Sequence, residues 1–307
     1  MKTKLAVVCV ALAAVGCKKN GTGTGGGGGG GGWFVGSEGL MQNVTPAGTP
    51  GHGYDLGSTA ELRGIACRYA GEAWVVGNAG TLLYTSDAGV TWSAQIVPTN
   101  ADLRTLATQD LGPVFVAGNG TFLVTKDTGA TWTELGDATT AFRSLAAAQA
   151  GDTVLALADD GGLWSYNGAL TRIGTLAGMR ALAVSADGQV AVAAGTGMMM
   201  SKDAGLTWTA LAVDPSLTFD DVRIAEDSSA VAVGTAGAIA NIDPTGAVTV
   251  QHVGTANLHT VALDDTGYAA GDGGQILVTH DDGLSWSLGP ALGATVWGVD
   301  EIGDGHR

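Results

Sequence analysis

Residues 85–92 read TSDAGVTW, and the same eight-letter phrase returns as TKDTGATW at 125–132, SKDAGLTW at 201–208 and THDDGLSW at 279–286. Its aspartates, Asp87, Asp127, Asp203 and Asp281, are separated by 40, 76 and 78 residues, so the last two intervals are each about twice the first. The spacing predicts a repeat of about 40 residues with two faint copies, one at Asn167-Gly168 in SYNGALTRI and one at Asp243 in IDPTGAV. Strand-like repeats of that length are the signature of propeller blades of four strands each.

Two further markers keep the same period. An apolar-Arg-x-apolar-Ala phrase precedes each box, as LRGIA from Leu62, LRTLA from Leu103, FRSLA from Phe142 and MRALA from Met179, with weaker copies from Phe219 and Leu258. Each is followed by a strand that ends in glycine and a tight turn, as in AWVVGNAG and VFVAGNG, a hairpin signal. A seventh first strand, TVWGV from Thr295, has no blade after it, whereas WFVGSEGL from Trp33 reads as a second strand with no first. Pairing the two closes a ring of seven blades and removes two exposed sheet edges. The expected fold is an all-β, seven-bladed propeller of four-stranded antiparallel blades over residues 33–307.

The phrase itself suits a self-locking turn. A short carboxylate accepts from the N–H groups of its own loop, the glycine takes a positive φ, the hydroxyls tie the strand ends, and the tryptophan buries a large apolar face against its blade. Asp87, Gly89, Trp92, Asp127, Gly129, Trp132, Asp203, Gly205, Trp208, Asp281, Gly283 and Trp286 are therefore assigned to structure. The rival reading, a calcium loop beginning at Asp281-Asp282-Gly283, lacks the other oxygen ligands.

The first residues carry a different message. MKTKLAVVCVALAAVGC has two lysines, an apolar run over 5–15 and then Gly16-Cys17, the pattern of a secretory signal too short to cross a bilayer. Ala14-Val15-Gly16-Cys17 resembles a bacterial lipobox, with Ala14 where leucine is more typical. By that resemblance residues 1–16 are removed and Cys17 is acylated; the alternative is an ordinary signal peptide with a chance cysteine. No Asp follows Cys17, so the inner-membrane retention signal is absent and the expected location is the outer membrane. Residues 18–32 form a glycine-rich tether, about 20 Å long as a random coil. Without residues 1–16, which hold Lys2 and Lys4, 12 basic residues face 29 acidic ones, a net of −17. That argues against nucleic acid and against a polybasic membrane surface.

The boxes resemble the Asp-box of the BNR-repeat propellers. GNAGTLLYTSDAGVTW, in which the glycine turn runs straight into the box, most resembles the photosystem II stability/assembly factors, over nearly the whole mature chain. That resemblance implies a non-enzymatic, monomeric propeller, lipid-anchored in some members, that binds protein partners, with its boxes on the blade periphery away from the ligand face. The competing class is a glycoside hydrolase. Sialidases share the boxes but need an Arg-Ile-Pro phrase and a Tyr–Glu pair, and none of Glu38, Glu61, Glu72, Glu134, Glu226 and Glu301 sits beside a tyrosine. A chance carboxylate pair at hydrolase spacing stays open. The five histidines, His52, His252, His259, His280 and His306, lack zinc spacing, and no cofactor is expected. Cys67, within a first strand, reads as a small buried hydrophobe.

The candidate binding residues are arginines. Arg63, Arg104, Arg143 and Arg180 occupy one repeat position in successive blades, and Asp220, His259 and Trp297 occupy it in the others. First strands line the channel, so these side chains should gather at one mouth. The family is described as carrying an arginine patch, which this arc resembles. Glu61 and Asp102 stand two residues before Arg63 and Arg104, a pairing spacing on a strand; Arg143 and Arg180 have no such neighbour and are expected to be the most available. The expected ligand is an acidic protein segment or a carboxylated glycan, recognised through bidentate guanidinium contacts. The alternative is that the arginines are paired internally.

Overall fold

The computed structural model describes residues 31–55, 59–68, 71–110, 112–263 and 266–301. Cys17, the signal segment, nearly all of the tether and the last six residues lie outside them.

Seven four-stranded antiparallel sheets follow one another around a ring. The first strands of blades 2 to 7 are Leu62–Arg68, Leu103–Thr108, Phe142–Ala147, Met179–Val184, Phe219–Ile224 and Leu258–Ala262. Blade 1 is composite: the C-terminal strand Val296–Glu301 is its innermost strand and pairs with Gly32–Gly36, Gly32 opposite Glu301 and Phe34 opposite Val299. The ring closes as the sequence predicts.

The second strands, such as Val114–Gly118 and Ala230–Gly234, are buried along their whole length, except for half-buried Glu72 at the start of the one in blade 2. They read as continuous apolar runs because both faces of each sheet pack on a neighbouring blade. Seven apolar clusters result, one at each junction between adjacent blades. Alanines at the innermost positions, Ala66, Ala107, Ala146 and Ala262, let the blades converge on the axis.

The innermost strands are sheet edges, and side chains there supply the missing partners. Thr105 Oγ1 accepts from Leu145 N at 3.0 Å, Ser144 Oγ from Leu182 N at 2.9 Å, Asp221 Oδ2 from Val261 N at 3.0 Å and Thr260 Oγ1 from Val299 N at 3.2 Å, each reaching the next blade. Asp300 Oδ2 accepts from Cys67 N at 2.8 Å across the closing junction. Cys67 is buried, as expected.

Candidate functional site

The four boxes share one hydrogen-bond pattern. The leading hydroxyl (Thr85, Thr125, Ser201, Thr279) donates to the aspartate at 2.7–2.8 Å and accepts from the box glycine N–H at 2.9–3.1 Å. The trailing Thr or Ser donates its N–H to Oδ1 at 2.8 Å and its hydroxyl to Oδ2 at 2.6 Å. These donors, the trailing residue's first, hold the carboxyls of Asp203 and Asp281 down at about 2. Two features differ from the sequence reading. The residue before each glycine, Ala88, Thr128, Ala204 or Asp282, also has a positive φ of 54–58°, so the turn uses two left-handed residues in succession. The tryptophan does not pack on its own blade alone: Trp92, Trp132, Trp208 and Trp286 join the clusters shared with the preceding blade. Only Trp92 is buried outright, because Trp33 covers it. The boxes weld neighbouring blades together.

They also stand at the opposite end of the blades from the arginines. Ala88 of the first box donates its N–H to Gly71 O, in the turn between the first two strands, at 2.9 Å, and Arg68, at the far end of the strand that begins with Leu62, reaches Thr128 Oγ1 of the next box at 3.3 Å.

At the other end every innermost strand carries a β-bulge. The register skips between Leu62 and Gly64, Leu103 and Thr105, Phe142 and Ser144, Met179 and Ala181, Phe219 and Asp221, Leu258 and Thr260, and opposite Val35–Gly36 in blade 1. The extra residues are Arg63, Arg104, Arg143, Arg180, Asp220, His259 and Trp297, the same seven that share one position in the sequence repeat. A bulge re-aims the side chain of its extra residue, and here it does so seven times at one end of the channel. The residue after each second strand, namely Ser37, Asn78, Asn119, Asp159, Thr196, Thr235 and Asp272, donates its N–H to the carbonyl preceding the first strand at 2.8–3.0 Å. This approach explains the strand-ending glycine: a Cβ on Gly118 or Gly271 would collide with that carbonyl, of Asp102 or Asn257 respectively.

The bulge residues fall into two linked runs, Arg63–Trp297–His259–Asp220–Arg180 and Arg104–Asp159–Arg143. Arg63 donates to Asn78 Oδ1 at 3.1 Å and pairs with Glu61 at 3.0 Å, as the spacing predicts. Its guanidinium lies 5.8 Å from the Trp297 ring, and Trp297 in turn stacks obliquely on His259 at 4.7 Å. His259 bonds Asp220 through Nδ1 at 3.0 Å and Asp272 through Nε2 at 2.8 Å. The second oxygen of Asp220 takes Arg180 at 2.6 Å. Asp159 accepts from both Arg104, at 2.7 Å, and Arg143, at 2.8 Å.

Two expectations are corrected here. Arg104 does not pair with Asp102, whose Oδ1 accepts from Ala79 N at 2.9 Å in the preceding blade; a bulge breaks strand alternation, so residues two apart no longer have to share a face. Arg143 and Arg180 are not without acidic neighbours, since Asp159 and Asp220 reach them from positions remote in sequence. They are nevertheless the most open of the four, with side chains 19 % and 32 % exposed against 9 % and 12 % for Arg63 and Arg104. Asp159, Asp272, Asn78 and Asn119 escaped the sequence reading, although all four follow a second strand directly and could have been aligned from that marker. Burial alone would raise the Asp159 carboxyl; the hydrogen bonds and charges of Arg104 and Arg143 outweigh it and hold the carboxyl below its usual range.

The fold and the bulge ring define a seven-bladed propeller with a channel mouth of paired charges. Among solved structures, the chain is similar to YCF48 from Cyanidioschyzon merolae, with 16 % identity over 77 % of this chain and 87 % of that one at a TM-score of 0.60. It is similar to virginiamycin B lyase from Staphylococcus aureus, with 13 % identity over 75 % and 84 % of the two chains at 0.64, and to the extracellular domain of a one-component system, BT4673 from B. thetaiotaomicron, with 17 % identity over 79 % and 36 % at 0.61. No family model and no curated protein matches the chain. At these identities the likeness is one of fold.

Proposed function

We propose that this propeller is a non-enzymatic binding scaffold whose channel mouth captures a carboxylate-bearing partner, an acidic protein segment or a carboxylated glycan, and that acylated Cys17 tethers it to the bacterial envelope. The observation that carries this reading is the state of the two most open arginines. Arg143 engages Asp159 only through Nε and Arg180 engages Asp220 only through Nη1. Among the described residues each therefore keeps an unused edge of its guanidinium, and such a fork suits bidentate carboxylate capture. A scaffold rather than a hydrolase is favoured by the state of the acids. At the mouth, Glu61, Asp159 and Asp220 are held by arginines, Asp272 bonds His259 and both nitrogens of His259 are engaged, so each of these groups already has a partner that general acid–base work would have to displace. Asp221, whose carboxyl burial raises to about 6, is wholly enclosed.

The test is capture of a partner from detergent-solubilised membranes by the wild-type chain and by Arg143→Ala/Arg180→Ala. Weaker capture by the variant, most marked at low salt, with little change in melting temperature is the expected result. Normal capture by a folded variant would move the site elsewhere. The hydrolase alternative is read with fluorogenic glycosides, where turnover abolished by a single carboxylate substitution would replace the scaffold reading.

A further inference from the structure

Beside the closing blade, a histidine is held between two carboxylates. The groups that face His259 are Asp220 from the blade 6 innermost strand, Asp272 from the Asp272–Gly274 turn, and Trp297 from the C-terminal strand. Beyond them, Arg180 holds the other oxygen of Asp220, Asn257 Nδ2 donates to Asp272 Oδ2 at 2.9 Å, and Arg63 lies over Trp297. A neutral imidazole has one N–H and one lone pair, so it can satisfy only one of two flanking carboxylates; the imidazolium satisfies both. The charge of the mouth turns on that proton. Four arginines, Arg63, Arg104, Arg143 and Arg180, face the four carboxylates bonded to ring members, Glu61, Asp159, Asp220 and Asp272. With neutral His259 the ring balances to zero; with the imidazolium it carries +1.

We propose that His259 is the fifth cation of the mouth and that its protonation sets how strongly the mouth holds a carboxylate ligand, an inference that rests on the binding role of the arginine arc. When the proton leaves, Asp220 stays in place because it is almost fully buried and bonded to Arg180. Asp272, whose side chain is 46 % exposed, then faces a lone pair with one oxygen and keeps only the bond from Asn257 on the other. The loss is therefore double: a positive charge disappears and a carboxylate oxygen without its donor is left at the space that an anionic ligand would use. Burial on its own would lower the basicity of the imidazole, but the hydrogen bonds and charges of Asp220 and Asp272 outweigh it and raise it above its usual range.

The experiment is calorimetric titration with a hexaglutamate peptide at pH 5.5 and at pH 8.5, using the full chain, His259→Asn and His259→Lys. The wild type is expected to bind roughly 3–10-fold tighter at pH 5.5, the effect of one unit charge about 6 Å away at an effective dielectric between about 40 and that of water. His259→Asn should bind equally at both values and at the weaker level, while His259→Lys should hold the peptide at pH 8.5 as the wild type does at pH 5.5. The remaining histidines stay in both variants and serve as controls. A wild-type pH response that persists unchanged in His259→Asn, or a lysine variant that behaves like the asparagine one, overturns the role of His259 while leaving the arc intact. Absence of binding by every form at both pH values overturns the arc and this inference together.

Discussion

Arg143 and Asp159 are joined at 2.8 Å, Nε to Oδ1, and the other oxygen of the same carboxylate accepts from Arg104 of the preceding blade at 2.7 Å. One internal acid thus occupies two arginines of the proposed ligand arc and competes with any carboxylate that arrives. Asp159→Ala should raise the affinity for hexaglutamate several-fold, while the lost bridge, partly exposed, costs only about 1 kcal/mol of stability or less. Calorimetric titration together with a thermal melt checks both; unchanged or weaker binding by the folded variant would place the ligand away from Arg104 and Arg143.

The box turn offers a pair of adjacent substitutions with opposite signs. Gly205 has φ +86°, and a Cβ there would lie 2.8 Å from Leu155 Cδ1 in the preceding blade. Gly205→Ala should destabilise by about 1–3 kcal/mol, from strain and overpacking at once. Its neighbour Ala204 already bears the cost of a side chain at φ +58°, about 1–2 kcal/mol, so Ala204→Gly should be neutral or stabilising by up to about 1 kcal/mol after the entropy of glycine is counted. Urea melts of the two variants settle the matter, and a neutral Gly205→Ala would mean that the box does not weld the blades.

The boxes, the blade count and the closing strand were legible because each depends on residues close in sequence or on a period. TSDAGVTW contains all four partners of its own turn, and TVWGV aligns with LRGIA at the first-strand position. The bulge ring was half legible: its seven residues share a repeat position, but a bulge is a relation between two strands and leaves no mark on one. The partners of the arginines were hidden for the same reason. Asp220 reaches Arg180 across 40 residues and Asp159 reaches Arg104 across 55, distances that only the ring brings together.

The pH dependence of stability has two limbs. The carboxyls of Asp203 and Asp281 are depressed to about 2, and those of Asp87 and Asp127 are also lowered, in each case chiefly by the hydroxyl and N–H of the trailing box residue. A depressed carboxyl contributes stability that is present above its unfolded value, about 3.9, and lost as pH falls toward its folded value. His259 works in the other direction: its raised value contributes stability that is complete below about 6.5 and lost as pH rises through the folded value. The melting temperature should therefore fall below pH 4 and fall again above neutrality, and His259→Asn should remove the alkaline limb alone. An alkaline limb that survives in the variant would assign it to another group.

Asp221 and Arg223 form a buried pair, Oδ1 to Nη1 at 3.4 Å, with side chains 0 % and 5 % exposed, in a position that blades 3, 4 and 7 fill without charge. Thr105 and Ala107, Ser144 and Ala146, and Thr260 and Ala262 stand there instead, and the hydroxyls of Thr105, Ser144 and Thr260 accept the same next-blade N–H that Asp221 accepts from Val261. Nε and Nη2 of Arg223 have no partner among the described residues, and burial pushes the Asp221 carboxyl up to about 6, both signs that the pair is poorly solvated. Asp221→Thr alone should destabilise by about 3–5 kcal/mol, because it leaves the guanidinium enclosed without its counter-charge. Asp221→Thr/Arg223→Ala, which copies blade 3, should recover that loss and reach or exceed the wild type, since replacing a whole buried pair is often neutral or stabilising by about 1–4 kcal/mol. Guanidinium melts at pH 7 decide between the outcomes. A double variant no more stable than Asp221→Thr would mean that Arg223 contributes more to the channel than a charge awaiting its partner.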